Sequence, residues 1–272
     1  SSAFPSRIPS LMLWLGCCEP RPDLASEELF LRESRPSAAL PDGAEYAGEW
    51  CNDQPDGQGV KTYKDGSRYE GEFRGGKASG SGTLRCPDGE VYSGQFLRNR
   101  ADGEGASDSP DGLQYRGQWA RGKRHGQGSM TYADGSAYEG QFESDLKHGQ
   151  GRLTFSKEQG RHVEGHYEGE FVRGAFHGKG TCFWSDGRRY QGEWRQNRLN
   201  GEGKGWFRNG SKFEGQFLNG RKHGYGTLTT ARGQVYHGEF RDGKACGKDA
   251  PKDDNSTDCG LSATLDPVGN NL

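Results

Sequence analysis

Four histidines recur in one slot, His-Gly-x-Gly, and a row of histidines could bind a metal ion or relay protons. They are His125, His148, His177 and His223. Each belongs to a different copy of a repeated unit, so we expect neighbours in the row to lie about 10 Å or more apart, whereas a zinc ion holds its histidine ligands at about 2.0 Å. We therefore predict structural roles near turns for these residues and no metal site.

Two glycine-rich segments come close to the phosphate-binding loop of nucleotide-binding proteins. They run from Gly71 to Ala78 and from Gly238 to Ala245. Both end in alanine at the position where that loop has the serine or threonine that contacts magnesium, and the pattern that follows does not predict a helix. We interpret both segments as by-products of the repeat spacing and expect no nucleotide or other cofactor.

The other reactive side chains do not form a catalytic set. Outside the repeated slots the sequence has no Ser-His-Asp, Cys-His or paired-carboxylate arrangement, which predicts a protein that is not an enzyme. The seven cysteines are scattered without a Cys-x-x-Cys pair, which favours a reducing compartment over a disulfide framework. Regularly spaced glutamates, Glu49, Glu72, Glu170 and Glu193, are interpreted as the solvent-facing side of a sheet.

A 23-residue period positions all of these residues. Nine copies of Tyr/Phe-x-Gly-x-Phe/Trp occur, and one longer interval of 29 residues contains a six-residue insertion near residues 157–166. Gly-x-Gly and, in most copies, Asp-Gly complete the unit. The repeated signature residues are Tyr46, Gly48, Trp50, Tyr69, Gly71, Phe73, Tyr92, Gly94, Phe96, Tyr115, Gly117, Trp119, Tyr138, Gly140, Phe142, Tyr167, Gly169, Phe171, Tyr190, Gly192, Trp194, Phe213, Gly215, Phe217, Tyr236, Gly238 and Phe240.

Each copy predicts one β-hairpin. Alternate residues of a strand share a face, so Tyr69, Gly71 and Phe73 should point inward together. The glycine leaves room for a ring to lie across the backbone, and Asp-Gly suits a tight turn that needs positive φ. In the third copy Ser107 and Ser109 occupy inward positions that are mostly apolar elsewhere, so we expect that copy to be the weakest point of the array.

These signatures, taken together, resemble the MORN family (membrane occupation and recognition nexus repeats). The resemblance implies an all-β fold, an elongated single-sheet array of stacked antiparallel β-hairpins, over residues 42–247. Residues 1–41 form an N-terminal segment, predicted to be partly disordered, in which 24–35 could form a short helix that covers the first hairpin. Residues 248–272 are predicted to be a disordered tail.

The composition indicates a folded protein with an aromatic core. Its net charge provides no overall electrostatic attraction for a charged partner. The chain has 272 residues, 46 of them glycine, 11% aromatic residues and a net charge of −2. Disordered chains usually combine high net charge with few aromatics, which is not the case here. A near-zero net charge also argues against a nucleic-acid partner. The longest apolar run, Leu11 to Leu15, is too short to cross a bilayer, which takes about 20 residues.

The charges follow the period, and this predicts a basic edge along one side of the sheet. The turn after each first strand is mostly basic, whereas the opposite turn carries the aspartate of Asp-Gly. The candidate residues are Arg74, Lys77, Arg98, Arg100, Arg121, Lys123, Arg124, Arg195, Arg198, Arg221 and Lys222, with Arg241 and Lys244 in the same slot of the last copy. Such an edge could dock acidic protein surfaces or anionic lipid headgroups, or it could be a solvated rim that prevents aggregation.

The resemblance to MORN proteins is specific for fold and not for function, and the repeat together with the lack of a catalytic set in the sequence leads us to expect a non-catalytic scaffold that mediates protein-protein interactions in a cytoskeletal or ciliary, radial-spoke-like assembly. The expected surfaces are the aromatic-rich face and the basic edge. The alternative is a peripheral membrane module that binds phosphoinositides or other anionic lipids, as part of a larger protein such as a phosphatidylinositol phosphate kinase. We expect a cytoplasmic location, in the cytoskeleton or cilium or at a membrane, and a homodimer formed through the terminal strands is a further expectation.

Overall fold

The computed structural model describes residues 32–156 and 164–251, and all secondary structure in these ranges is β-strand. The nineteen strands are β1 Glu33–Ala39, β2 Glu45–Cys51, β3 Gln54–Thr62, β4 Arg68–Arg74, β5 Lys77–Arg85, β6 Val91–Leu97, β7 Arg100–Asp108, β8 Gln114–Ala120, β9 Lys123–Thr131, β10 Ala137–Glu143, β11 Leu146–Phe155, β12 Gly165–Val172, β13 Ala175–Trp184, β14 Arg189–Arg195, β15 Arg198–Trp206, β16 Lys212–Leu218, β17 Arg221–Thr229, β18 Val235–Arg241 and β19 Lys244–Ala245.

Every strand pairs antiparallel with the next strand in the chain, so the sheet is one open meander. At about 4.8 Å between neighbours, nineteen strands extend on the order of 85 Å across the sheet. The prediction of an elongated single-sheet array of hairpins is confirmed.

The ends of the array differ from the boundaries drawn from sequence. Residues 24–31 of the suggested helix lie outside the described ranges, and residues 33–35 belong to β1, which pairs with β2. Strand pairing therefore already begins at Glu33. Residues 157–163 of the insertion and the tail from 252 onward also lie outside the described residues.

Two kinds of turn alternate along the sheet. At the basic edge the turn has two residues, as at Gly75 and Gly76, both with positive φ, 53° and 77°. This is the type I′ hairpin turn, which fits the right-handed twist of the strands. At the other edge the loop has three residues, such as 64–66 between the hydrogen-bonded residues Tyr63 and Ser67. It ends in a glycine such as Gly66, whose φ is 88° and whose N–H donates to the Tyr63 carbonyl at 3.0 Å. Aspartate stabilises this loop: the Asp65 carboxylate accepts the Ser67 N–H at 2.9 Å.

A ladder of paired glycines crosses the whole sheet. Gly48 pairs with Gly59, Gly59 with Gly71, and the series continues strand by strand to Gly238. The tyrosine of each copy lies across this ladder, and a Cβ added to Gly59 would be 2.2 Å from the Tyr46 hydroxyl oxygen. The ladder glycines are therefore required by the close approach of the rings.

The core is a continuous row of aromatic rings. Within a copy the tyrosine packs edge-to-face on the Phe or Trp two positions beyond the glycine. It packs in the same way on the equivalent Phe or Trp of the next copy. Tyr69, for example, has its ring centroid 5.0 Å from that of Phe73 and 4.8 Å from that of Phe96. The hydroxyl also donates to a backbone carbonyl, that of Glu72, at 3.0 Å. Such pairs add about 0.5–1.5 kcal/mol each beyond the area they bury.

The repeated glutamates and glutamines stabilise a bulge. Between Gly71 and Phe73 the register of β4 against β5 shifts by two residues. The Glu72 carboxylate fills the gap and accepts the Ser81 N–H at 3.0 Å, and Glu49 and Glu170 accept the N–H of Gln58 and Lys179 in the same way. The interpretation of these residues as a merely solvated row was therefore incomplete, because their oxygens satisfy backbone donors.

The core is thinnest between the third and fourth copies. The buried aromatic cluster divides there into residues 46–96 and 115–240, and the half-buried Trp119 packs against both parts. Ser107 takes the inward position between Tyr92 and Tyr115. The buried indole nitrogen of Trp119 has no hydrogen-bond partner among the described residues, whereas that of Trp194 donates to the Gly180 carbonyl at 3.2 Å. The ring pair of Tyr92 and Trp119, with centroids 5.0 Å apart, joins the two parts, and the inward position beside it holds a serine in place of an apolar side chain.

Candidate functional site

The basic edge is formed by side chains at the two-residue turns. Nine of the eleven residues predicted from sequence are exposed at the same ends of the strands: Arg74, Lys77, Arg98, Arg100, Arg121, Lys123, Arg195, Arg198 and Arg221. We define the basic edge as these nine residues. The two others, Arg124 and Lys222, face the core.

Lys222 and Arg124 were wrongly assigned to the edge, because alternation along the strand turns them inward. Each lies opposite the Phe or Trp of its hairpin. Lys222 is 1% exposed, and its amino group lies 5.4 Å from the ring centre of Phe207. Arg124 forms an ion pair with Asp145 at 3.2 Å. Both cations contact π faces of the ring row, which is a favourable contact for a partly desolvated charge.

The members of the basic edge have no ion-pair partner in the described part of the chain. Within residues 32–156 and 164–251, the ion pairs involve other residues, such as Arg152 with Glu168 and Lys204 with Glu214. In the last copy Arg241 of the same slot pairs with Glu239 at 3.1 Å, whereas the nine basic-edge side chains form no ion pair with a described acidic residue. Their charge is therefore available to a partner.

Two arginines of the basic edge occupy a backbone conformation that disfavours them. Arg98 and Arg121 are the first residues of their turns and have φ of 51° and 54°. Glycine or asparagine is preferred at this position, as at Gly75 and Asn219. Placing arginine there costs about 1 kcal/mol and moves the charge to the tip of the turn. The conformation itself is common to this turn position, since Ser144, Arg173 and Gln196 occupy it with φ of 49°, 51° and 48°.

Hydrogen bonds between copies hold the turns in a row. The Asn99 N–H donates to the Ala78 carbonyl at 2.9 Å, and the Asn99 side-chain oxygen accepts the Ala78 N–H at 2.7 Å. The Gly122 N–H donates to the Ala101 carbonyl at 2.7 Å. Each basic turn is thus fixed to the preceding hairpin, which spaces the charges by the pitch of the sheet.

The basic edge consists of two segments. The first comes from the second to fourth copies, Arg74 to Lys123, and the second from Arg195 to Arg221. Between them the turn of the fifth copy carries Glu143 and Asp145, and that of the sixth copy carries one basic residue, the exposed Arg173. The edge is therefore not a uniform basic strip, as the repeat pattern alone suggested.

Exposed apolar side chains lie in the same row of turns. Leu97 is 55% exposed, Leu218 is 42% exposed and Val172 is 38% exposed. Each directly precedes a two-residue turn, and Leu97 and Leu218 lie opposite Arg100 and Arg221. The edge therefore combines cations with scattered apolar groups.

The opposite edge uses its aspartates internally. The carboxylates of the Asp-Gly turns accept backbone N–H groups two residues on, for example Asp88 from Glu90 and Asp111 from Leu113. Hydrogen bonds from Ser67 lower the pKa of Asp65 below its usual value. These carboxylates stabilise the turns, so the acidic character of this edge has a structural origin.

The histidine slot and the two phosphate-loop matches lie in hairpins. His148 lies in β11 opposite Gln141, and its Nδ1 is 3.3 Å from the Glu143 carboxylate. The segment from Gly71 to Ala78 crosses from β4 to β5 and is not followed by a helix. No cluster of three or more metal-ligating side chains occurs in the described part of the chain.

The 23-residue units match a known repeat family along nearly the whole array. The MORN repeat matches at residues 46–68, 69–91, 92–114, 115–137, 138–158, 167–188, 190–212, 213–235 and 236–248. The chain belongs to the MORN repeat family. Units of this family generally serve as non-catalytic modules for binding proteins or membranes.

Solved structures similar to this MORN protein have low sequence identity and low TM-scores. The TCP domain of SAS-4 from Drosophila melanogaster, in complex with a proline-rich motif of Ana2, is similar at 12% identity over 84% of this chain and 99% of that one, with a TM-score of 0.28. A virginiamycin B lyase from Staphylococcus aureus is 9% identical over 79% and 87% of the two chains, with a TM-score of 0.17. No curated protein matches. In the described ranges of this MORN protein, no helix has the length and apolarity to span a bilayer.

Proposed function

We propose that this MORN protein is a non-catalytic scaffold whose basic edge docks an acidic segment of a partner protein. The observation that carries the proposal is the row of exposed cations, none of which forms an ion pair with a described acidic residue; two of them, Arg98 and Arg121, lie at the tips of their turns. An acidic polypeptide would supply the missing counter-charges. The aromatic face, the other surface expected from sequence, is occupied by ring-on-ring packing and serves as the core.

A cytoskeletal or ciliary assembly is the setting that we propose for the scaffold. Its support is the resemblance to MORN proteins of such assemblies, together with a rigid array about 85 Å across that could space bound partners. The corresponding location is the cytoplasm, at the cytoskeleton or in the cilium.

The test is binding of a fluorescent glutamate-rich peptide, measured by anisotropy at low and physiological salt. We expect the double variant Arg98→Glu/Arg121→Glu to weaken binding at least about tenfold, because two attractions become repulsions. The matched control is Arg208→Glu/Arg232→Glu, which makes the same change in net charge at exposed turns of the opposite edge. Equal loss in both variants, or no peptide binding at low salt, would refute the proposal.

A peripheral membrane module is the second candidate, and the exposed Leu97 and Leu218 favour it. Apolar side chains beside basic ones could enter the interface of an anionic bilayer, where each basic residue contributes about 1 kcal/mol. A role as the lipid-binding part of a larger protein, such as a phosphatidylinositol phosphate kinase, belongs to this candidate. Co-sedimentation with phosphoinositide vesicles that is lost when Leu97 is replaced would favour the membrane module over the protein scaffold. Co-sedimentation equal to that with neutral vesicles would reject the membrane module.

Homodimerisation through a terminal strand is proposed from the end of the array. β19 has only two residues, so β18 from Val235 to Gly238 lacks a neighbouring strand on that side among the described residues. Light scattering at rising concentration tests this, with Asp249→Gly as the variant that should extend β19, cover β18 and yield monomers. A wild-type protein that stays monomeric at high concentration would reject the dimer.

A further inference from the structure

A stack of four side chains stands on the solvent-facing side of β12 to β15. It consists of His166, Phe183, Arg189 and Trp206, which are direct cross-strand neighbours in that order. The His166 and Phe183 rings are stacked, with centroids 4.7 Å apart and planes at 22°. The Arg189 guanidinium carbon lies 5.0 Å from the Phe183 ring centre and 4.8 Å from that of Trp206. We call these four residues the outer stack.

The outer stack is not part of the core. Cys182 and Gly205, the chain neighbours of Phe183 and Trp206, face the inward rings of Tyr167 and Tyr190, so the stacked rings face away. Both rings remain half-buried and lie outside the aromatic core cluster. The position equivalent to Phe183 and Trp206 holds a polar side chain in the other copies: Thr62, Arg85, Asp108, Thr131, Thr154 and Thr229. The fold therefore does not require aromatic rings at these two positions.

Arg189 lies between two rings and has no ion-pair partner among the described residues. Its Nη2 donates to the Gln191 side-chain oxygen at 3.1 Å, and its buried Nε has no hydrogen-bond partner among the described residues. Some other cations of the same face have carboxylate partners, such as Lys204 with Glu214 at 2.8 Å. A guanidinium can bind a carboxylate through its planar fork of donors, and the rings on either side of Arg189 offer contact area to apolar groups.

We propose that the outer stack binds a peptide segment that carries a carboxylate side chain between aromatic or apolar ones. The carboxylate pairs with the Nη atoms of Arg189, and the apolar side chains contact Phe183 and Trp206. Charge complementarity identifies this occupant, because Arg189 has no carboxylate partner among the described residues and lies between the apolar rings of Phe183 and Trp206. The outer stack lies at the Asp-Gly ends of the strands, away from the basic edge, so the proposal does not rest on the proposed function.

The experiment uses the full chain and three fluorescein-labelled peptides. The probe is Gly-Phe-Glu-Phe-Gly-amide, the first control replaces its glutamate by glutamine, and the second replaces both phenylalanines by alanine. We expect the probe to bind at least about fivefold more tightly than either control, since both the carboxylate and the rings contribute. Absence of probe binding at millimolar protein, or equal binding of all three peptides, would overturn the proposal.

Three variants locate the binding. Trp206→Thr and Phe183→Thr install the residue type that Thr131 and Thr154 show to fit this row, so the fold should survive. Arg189→Lys keeps the charge but loses the planar fork. Each should weaken probe binding about fivefold or more, with an unchanged circular dichroism spectrum. The control Arg152→Lys, on the same face, should bind normally.

The outcomes separate this site from the basic edge and from a purely structural stack. Arg98→Glu/Arg121→Glu should leave probe binding within about twofold of wild type, and a loss there equal to that of Arg189→Lys would overturn the assignment. If Trp206→Thr and Phe183→Thr lower the thermal midpoint but leave probe binding unchanged, the stack only stabilises the sheet and the proposal fails.

Discussion

Alanine at Gly128 is expected to destabilise the array severely, although its backbone has an ordinary conformation. Gly128 lies in β9 at the centre of the glycine ladder, paired with Gly117 and Gly140. A Cβ there would be 2.5 Å from the Tyr115 hydroxyl oxygen and 2.6 Å from Cε2 of the same ring. Contacts this short do not occur, so the ring of Tyr115 must move.

The magnitude depends on the contacts that hold that ring. Tyr115 is 1% exposed, packs edge-to-face on Trp119 at 5.2 Å and on Phe142 at 5.1 Å, and donates to the Gln118 carbonyl at 2.8 Å. Weakening two ring pairs costs about 0.5–1.5 kcal/mol each, the hydrogen bond about 1, and overpacking about 1–3. Because these losses overlap, we expect Gly128→Ala to lower the free energy of unfolding by about 3–5 kcal/mol.

Urea unfolding followed by circular dichroism and tryptophan fluorescence measures the effect, with equal m-values required for comparison. The control is Gly122→Ala, where φ is +83° but no atom lies within 4 Å of the added Cβ. It should cost only about 1–2 kcal/mol, from backbone strain. In a Tyr115→Leu background the Gly128→Ala cost should fall below about 2 kcal/mol. A Gly128→Ala cost no larger than that of Gly122→Ala would refute the argument from ring approach.

Three further outcomes are expected. Burial raises the pKa of Tyr115 to about 12, as it does for other core tyrosines, so the folded state favours the neutral phenol. The stability that the neutral phenol contributes should therefore be fully present below about pH 10, the pKa of tyrosine in the unfolded chain. It should be lost as the pH rises through about 12, and the free energy of unfolding measured against pH tests this. Ser107→Leu should raise the unfolding free energy by about 1–2 kcal/mol, because leucine occupies this inward slot at Leu84 and Leu153. Asp249→Gly should slow amide exchange at His237, because a glycine at the ladder position lets β19 continue along β18.

Each of these expectations has a contradicting result. Alkaline unfolding complete below pH 10 would show that ionisation of the core tyrosines is not its cause. If native-state hydrogen exchange protects residues 103–112 of the wild type as well as 126–135, the third copy is not the weak point, whatever Ser107→Leu does. An unchanged amide exchange rate at His237 in Asp249→Gly would show that Asp249 does not end the sheet. Gly210→Asn, at the opposite edge, is the surface control for this measurement.

Much of the fold was predictable from the local pattern. The inward placement of Tyr69, Gly71 and Phe73 follows from alternation along a strand, and equal spacing of the copies forces equal hairpins to stack. Arg124 lies two positions before Gly126 in the same strand, so the alternation of side chains would also have predicted that Arg124 faces inward. The sequence therefore contained this signal, and the prediction missed it. The polar row interrupted by Phe183 and Trp206 was a second such signal.

What the sequence determined is the unit: two strands, two turns, an aromatic core and a mostly basic row of turns, because these depend on residues within 23 positions of one another. Tertiary structure decided which side chains meet. The two-residue register shift after Gly71 gives Glu72 a backbone donor, and cross-strand pairing places Arg189 between the rings of Phe183 and Trp206. Such contacts depend on register between strands, since a shift in register changes every cross-strand neighbour without changing the repeat itself.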